Sequence, residues 1–158
     1  MDLSKLPNDI QIFGNLCQIS NMLDTIGNDF LKDLTTKQWF FLACLSNLTD
    51  NPPTINEMAC LMGSSHQNVK QIALKLEKKG FIEITKDEKD ARSLRLLFTK
   101  KAMEYGNAFE NKGAMFLSLL YKDFNNEDKN NFTVLTNKML NTLKDMQETK
   151  NYMDISSR

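Results

Sequence analysis

A chain of 158 residues, 41% apolar and 25% charged, can bury one ordinary core, and it has no run near the roughly 20 uninterrupted apolar residues of a membrane helix. Its opening, Met1-Asp2-Leu3-Ser4-Lys5, lacks the basic-then-apolar order of a secretory leader, and three cysteines (Cys17, Cys44, Cys60) without CxxC spacing argue against a disulfide framework, so reduced thiols in the cytoplasm are expected. The formal net charge is zero, yet residues 64–101 hold ten Lys/Arg against five Asp/Glu; one face should attract a polyanion that the rest of the chain repels.

The first helix is predicted from near Pro7 to about Leu34. Ile12, Leu16, Ile19, Leu23, Ile26 and Phe30 recur at alternating spacings of four and three, the seam of a helix that lies along another helix. Such a short seam does not make a free coiled coil, so a helical dimerisation layer is the preferred reading; a core-facing stripe within one subunit is the alternative. A second helix opens at Thr35, with Gln38 at capping-box spacing, and Thr49-Asp50-Asn51-Pro52-Pro53 ends it. Thr54 with Glu57 repeats the box and opens a short helix over 55–62, closed by Gly63. Ser64 or Ser65 caps the next helix, which runs to Lys79 and stops at Gly80. Val69, Ile72, Ala73 and Leu76 form its buried face, and Gln67, Gln71, Lys75 and Lys78 point the opposite way.

Residues 81–85 alternate and are rich in β-branched types, so they read as a strand, and 94–98 read as its partner across a charged turn over 86–93. From Thr99 to about Lys150 the period is helical again, broken at Asn125-Asn126. Phe132, Leu135, Met139, Leu143 and Met146 line one side of the last helix, and residues 151–158 are expected to fray. The fold class is therefore mainly α (α+β): a winged helix-turn-helix over 35–102, inserted between 1–34 and 103–150, which together form a helical dimerisation region.

Two capped helices joined through a glycine and followed by a basic hairpin offer double-stranded DNA two handles. On helix 65–79, Gln67, Asn68 and Gln71 have the amide chemistry that bonds adenine bidentately, while Lys70 and Lys75 reach guanine or phosphate. Ser64, Ser65 and His66, at the helix start, suit phosphate oxygens. In the hairpin, Lys86, Lys89, Asp90, Arg92, Ser93 and Arg95 complete the candidate interface, with an arginine at the tip suited to the minor groove.

Three stretches resemble the MarR-type family of winged helix-turn-helix regulators, over roughly residues 10–150. They are Leu34-Thr35-x-x-Gln38-Trp39-x-x-Leu42; Glu57-Met58-Ala59, Gly63-x-Ser65 and Val69 followed by Leu76-Glu77-Lys78-Lys79-Gly80-Phe81-Ile82; and Asp87-x-x-Asp90-x-Arg92, with Thr99 seven residues after Arg92. The resemblance implies a recognition helix over 65–79 and a wing over 86–95 in which Arg92 enters the minor groove and Asp90 orders the turn. It also implies a homodimer, with Ile12, Leu16, Ile19, Leu135, Met139 and Leu143 at the interface, on a pseudo-palindromic operator with half-sites one helical turn apart. The resemblance further implies repression that is relieved when a small ligand or an oxidant disturbs the helix layer, with a small aromatic or apolar effector expected for this chain. Ala91, Glu88 and Ala102 depart from the family pattern, where arginine, proline and glycine are common.

Other chemistries have less support. His66 is the lone histidine and no Cys/Asp/Glu cluster stands at ligand spacing, so neither metal nor cofactor is expected. Cys17 lies near the place where peroxide-sensing relatives keep a reactive thiol, which makes an oxidant sensor an alternative, although Leu16, Gln18 and Ile19 supply no cation. Cys44 and Cys60 read as core. Trp39, Phe40, Phe41, Phe109 and Phe116 either pack in the core or line a cleft for an effector. A winged helix that binds a protein instead of DNA is the rival reading; it needs an apolar or acidic outer face on 65–79. An enzyme is not expected, since there is no glycine-rich phosphate loop, nucleophile elbow or histidine-based triad.

Overall fold

The computed structural model describes residues 5–48, 51–87 and 93–153, the side chains of 107–110 and 150–153 excepted. In order these form α1 (Asn8–Leu31), α2 (Thr36–Ser46), α3 (Ile55–Leu61), α4 (His66–Lys78), β1 (Ile82–Lys86), β2 (Leu94–Phe98), α5 (Lys100–Leu120) and α6 (Asn126–Met153). The chain divides into two compact units, residues 1–117 and 118–158.

Caps fix most boundaries in the first unit. Thr35 Oγ1 accepts from the Gln38 amide at 3.2 Å while Gln38 Oε1 accepts from the Thr35 amide at 3.2 Å, and Thr54 and Glu57 make the same reciprocal pair. Helix α3 ends with Gly63 at φ 58; the Ser64 amide bonds Ala59 O and the Gly63 amide bonds Cys60 O. Ser64 is thus part of the preceding helix end, and Ser65 is the cap of α4, its hydroxyl accepting from the Asn68 amide at 3.2 Å. Helix α4 closes the same way: Gly80 has φ 76, and the amides of Phe81 and Gly80 return to Leu76 O and Glu77 O. Thr99 then caps α5, accepting from the Ala102 amide and donating to Gly80 O.

The β-strands pair antiparallel in the register Ile82↔Phe98, Ile84↔Leu96 and Lys86↔Leu94. A bridge between Thr54 and Arg95, with the Leu96 amide on Pro53 O, lays the segment before α3 along the other edge of β2. Phe41, Leu45, Met58, Val69, Leu76, Ile82 and Leu96 are buried at the centre of this unit.

At α1 the structure differs from the sequence reading. The helix stops at Leu31, not at Leu34, because Lys32 turns to φ 55, ψ −58 and the Asp33 amide bonds Leu31 O at 2.6 Å. That is a γ-turn of the rare positive-φ kind. It lets the buried Leu34 join the core as part of the α1–α2 joint instead of extending the seam. The seam itself divides: Leu16, Leu23 and Phe30 are half-buried, Phe30 against Phe116 at 5.5 Å, whereas Ile12, Ile19 and Ile26 are exposed. The first helix crosses the start of α2 at Gly27, where a Cβ would collide with Thr36 Oγ1.

In the second unit the expected break is itself a cap. Asn125 Oδ1 accepts from the Asp128 amide at 2.9 Å, and Asp128 Oδ2 accepts from the Asn125 amide at 3.0 Å. Phe124 meets Tyr121 and Phe132 edge-on, and α6 continues to Met153. Residues 154–158, the rest of the expected frayed end, lie outside the described residues. Among the described residues no helix is long and apolar enough to cross a membrane.

Candidate nucleic-acid interface

The helix α4 has two sides of opposite character. Val69, Ala73 and Leu76 have no exposed surface and Ile72 is half-buried, so the helix is seated firmly on α2, α3 and β1. At 100° per residue, Gln67, Gln71, Leu74 and Lys78 fall opposite Leu76, with Lys75 beside them, and all five are exposed. His66 and Asn68 are exposed in the first turn, Ser65 is exposed as its cap, and Ser64 and Lys70 are half-buried. The sequence-derived candidates on this helix thus share one end and one side, and an exposed Leu74 stands among them that sequence reasoning did not single out.

The hairpin behaves differently. Lys86 is exposed and Ser93 closes its base, with Ser93 O accepting from the Asp87 amide at 2.9 Å. Lys89, Asp90 and Arg92 lie outside the described residues, as do the departures at Glu88 and Ala91. Arg95 faces inward: its Nε donates to Asp87, and its Nη1 donates to Pro52 O at 2.7 Å and lies 3.7 Å from Glu57 Oε2. One guanidinium therefore ties the hairpin base to the start of α3, with charge-assisted bonds that fix geometry. Glu57 belongs to the same cluster. The Thr54 amide and then its hydroxyl hold the Glu57 carboxyl below the usual carboxylate range, and the Arg95 charge adds to this.

Two more cations of the basic segment are turned toward the protein. Lys79 Nζ donates to Asp33 O at 2.7 Å and to Gln38 Oε1 at 2.9 Å. Lys101 Nζ donates to Lys79 O at 2.6 Å and lies 4.9 Å from the centre of the Phe81 ring. Positive charge on α4 that faces away from the core comes from Lys75 and Lys78.

Residues 34–94, from the α1–α2 joint to the start of β2, match the MarR family. Over that stretch the chain is similar to MarR-type transcriptional regulators. It is 28% identical over 123 residues to the transcriptional repressor MprA of Escherichia coli (strain K12), covering 77% of this chain and 70% of that one. It is 32% identical over 93 residues to the transcriptional activatory protein BadR of Rhodopseudomonas palustris, covering 57% of this chain and 53% of that one. The solved S. aureus MepR–DNA complex superposes with a TM-score of 0.73 at 22% identity, over 81% of this chain and 94% of that one, which is a likeness of fold. MarR-type proteins are regulators and not enzymes.

Beyond the MarR-type winged helix, α1 exposes Ile12 and Ile19 and half-buries Leu16, and α6 exposes Leu135, Met139 and Leu143. The aromatic residues divide. Phe41 is fully buried, Phe116 packs on Phe30, and Phe40 is exposed; the side chain of Phe109 lies outside the described residues. Trp39 packs against Gly113, where a Cβ would come within 2.5 Å of its indole. Three of these five therefore pack against the unit's own residues. Cys44 is half-buried, and burial pushes its thiol up. Cys17 is exposed. Cys60, expected in the core, is exposed as well: α3 buries Ile55, Met58 and Ala59, and the next residue falls 100° outside that stripe. Among the described residues no three His, Cys, Asp or Glu are grouped to hold a metal.

Proposed function

We propose that this regulator is a cytoplasmic repressor that binds a pseudo-palindromic operator as a homodimer, with residues 65–79 in the major groove and the wing, residues 86–95, at the minor groove. The observation that carries the reading is the row Gln67, Gln71, Lys75 and Lys78, exposed along a helix whose other side buries Val69, Ala73 and Leu76 completely. A rigidly seated helix that offers amides and ammonium groups matches what base edges and phosphates require. The exposed apolar residues of α1 and α6 support self-association. MprA is a repressor, and MepR was solved on DNA; BadR, an activatory protein, makes the sign of regulation a matter for a reporter assay. Release by a small apolar or aromatic ligand rests on the family resemblance. Its oxidant-driven counterpart draws on the exposure of Cys17, and a Cys17→Ser protein that still releases DNA on peroxide treatment would remove it.

The test is selection from random and genomic fragments, with wild type beside Gln67→Ala and Arg92→Ala, across a salt series. Expected is an enriched pseudo-palindrome whose half-sites stand about 34–36 Å apart. Gln67→Ala should relax discrimination at one base by about 1–3 kcal/mol and leave the salt slope alone. Arg92→Ala should weaken wing contacts outside the half-site centres. Binding without site preference that vanishes at moderate salt would instead favour a winged helix that takes a protein partner.

A further inference from the structure

Lys79 closes the helix that carries the exposed glutamines, and it belongs to the basic segment 64–101 whose charge suits a polyanion. The structure gives it other neighbours. Its ammonium donates to two oxygens of the α1–α2 joint, the Asp33 carbonyl at 2.7 Å and Gln38 Oε1 at 2.9 Å. Gln38 is a buried polar side chain, 4% exposed, and the same oxygen accepts from the Thr35 amide that opens α2. The joint it grips is the positive-φ γ-turn at Lys32, a conformation that neighbouring contacts must hold in place. Asp33 is gripped a second time, by Lys112 of α5 at 3.3 Å from its carboxylate. The Lys79 backbone is equally fixed, with its carbonyl accepting from Lys101 and the Gly80 turn immediately after it.

We propose that Lys79 is a positioning residue: it pins the C-terminal end of α4 to the α1–α2 joint, so that the angle of the reading face follows the angle between α1 and α2. Its two charge-assisted bonds inside the protein leave a phosphate to compete for an ammonium already placed. This rests on the DNA-binding reading above. A movement of α1 against α2 then reaches α4 through one lysine and one buried glutamine, and the Asp33 carbonyl supplies the strained end of the link.

The two roles separate in a salt series. Affinity for the selected operator and for a random-sequence duplex of equal length is measured for wild type, Lys79→Met, Gln38→Met, the double variant and Lys79→Arg, each below its melting transition. Lys79→Met is expected to lose about tenfold of its operator-over-random preference, the size carried by one charge-assisted hydrogen bond, with an unchanged slope of log affinity against log salt. Gln38→Met, at a residue too buried to meet DNA, should lose a similar factor; the double variant should lose little more than either single one, and Lys79→Arg, which keeps two donors, should recover most of it. A slope lower by about one with preference intact would make Lys79 a phosphate contact and overturn the proposal. Lower melting temperatures with unchanged preference per folded protein would overturn it as well. Wild-type protein without any site preference overturns the DNA-binding reading itself, a result distinct from both.

Discussion

Arg95 donates to Asp87 and to the carbonyl of Pro52 from a side chain that is 26% exposed, beside an aspartate that is 8% exposed. Arg95→Met would leave a largely buried carboxylate without its guanidinium, and a loss of about 2–4 kcal/mol is expected in urea unfolding, with the hairpin base loosened first. A second residue-scale test lies at Gly113. Its approach to the Trp39 indole leaves no space for a methyl group, so Gly113→Ala should cost about 1–3 kcal/mol despite the higher helix propensity of alanine. An unchanged urea midpoint would mean that the indole swings aside freely, and near-ultraviolet circular dichroism would report that movement. Neither role was readable from the sequence. Arg95 has the same residue type and spacing whether it meets a phosphate or Asp87, and nothing near Gly113 in the chain announces Trp39, more than 70 positions earlier.

Among elements, the short α3 is the one most dependent on its ends. Seven residues form too few helical bonds to persist alone, so the Thr54–Glu57 box and the burial of Ile55, Met58 and Ala59 hold it. Thr54→Ala should destabilise the protein by about 1 kcal/mol. Glu57 adds a pH dependence with a definite sign. Its carboxyl is held down in the folded state, so its contribution is complete above the ordinary carboxylate range and is lost as pH falls through the lower folded value. Urea unfolding of wild type and Glu57→Gln should therefore differ at neutral pH and converge in acid; a constant gap down to pH 3 would contradict this. The capping boxes, both glycine stops and the two strands were all legible in the sequence, because each depends on residues within a few positions. The γ-turn at Lys32 was not, since a lysine carries no local signal for positive φ and the turn exists through Asp33, Lys79 and Lys112. In sequence Thr49-Asp50-Asn51-Pro52-Pro53 reads only as a helix breaker, whereas in the fold Pro52 and Pro53 also present carbonyls to Arg95 and Leu96.

For the whole molecule, the test is self-association. The α6 face carries Leu135 at 63% exposure and Leu143 at 50%, and α1 carries exposed Ile12 and Ile19. Apolar rows of this kind favour a partner surface. Sedimentation at about micromolar concentration should give a dimer, and Leu135→Glu with Leu143→Glu should give a folded monomer with weakened operator binding, since two linked half-sites bind far better than one. A wild-type monomer at those concentrations would sink the homodimer reading and leave the winged helix untouched. The heptad seam pointed to this in outline. What it could not give was the division within the seam, where Leu16, Leu23 and Phe30 are half-buried, Phe30 against Phe116, while the three isoleucines stay exposed.

The sequence by itself determined the order of elements, the seating of α4 and the identity of its exposed row, because caps, glycine turns and hydrophobic period act over one or two turns of chain. It determined also the likeness to MarR-type regulators, whose motif residues fall at those same caps and turns. Tertiary structure alone decided which cations are free to meet a ligand. Lys79, Lys101 and Arg95 look like their neighbours in the chain and differ from them through partners as far as 46 residues away, since a charged side chain takes whichever oxygen the fold brings within about 3 Å.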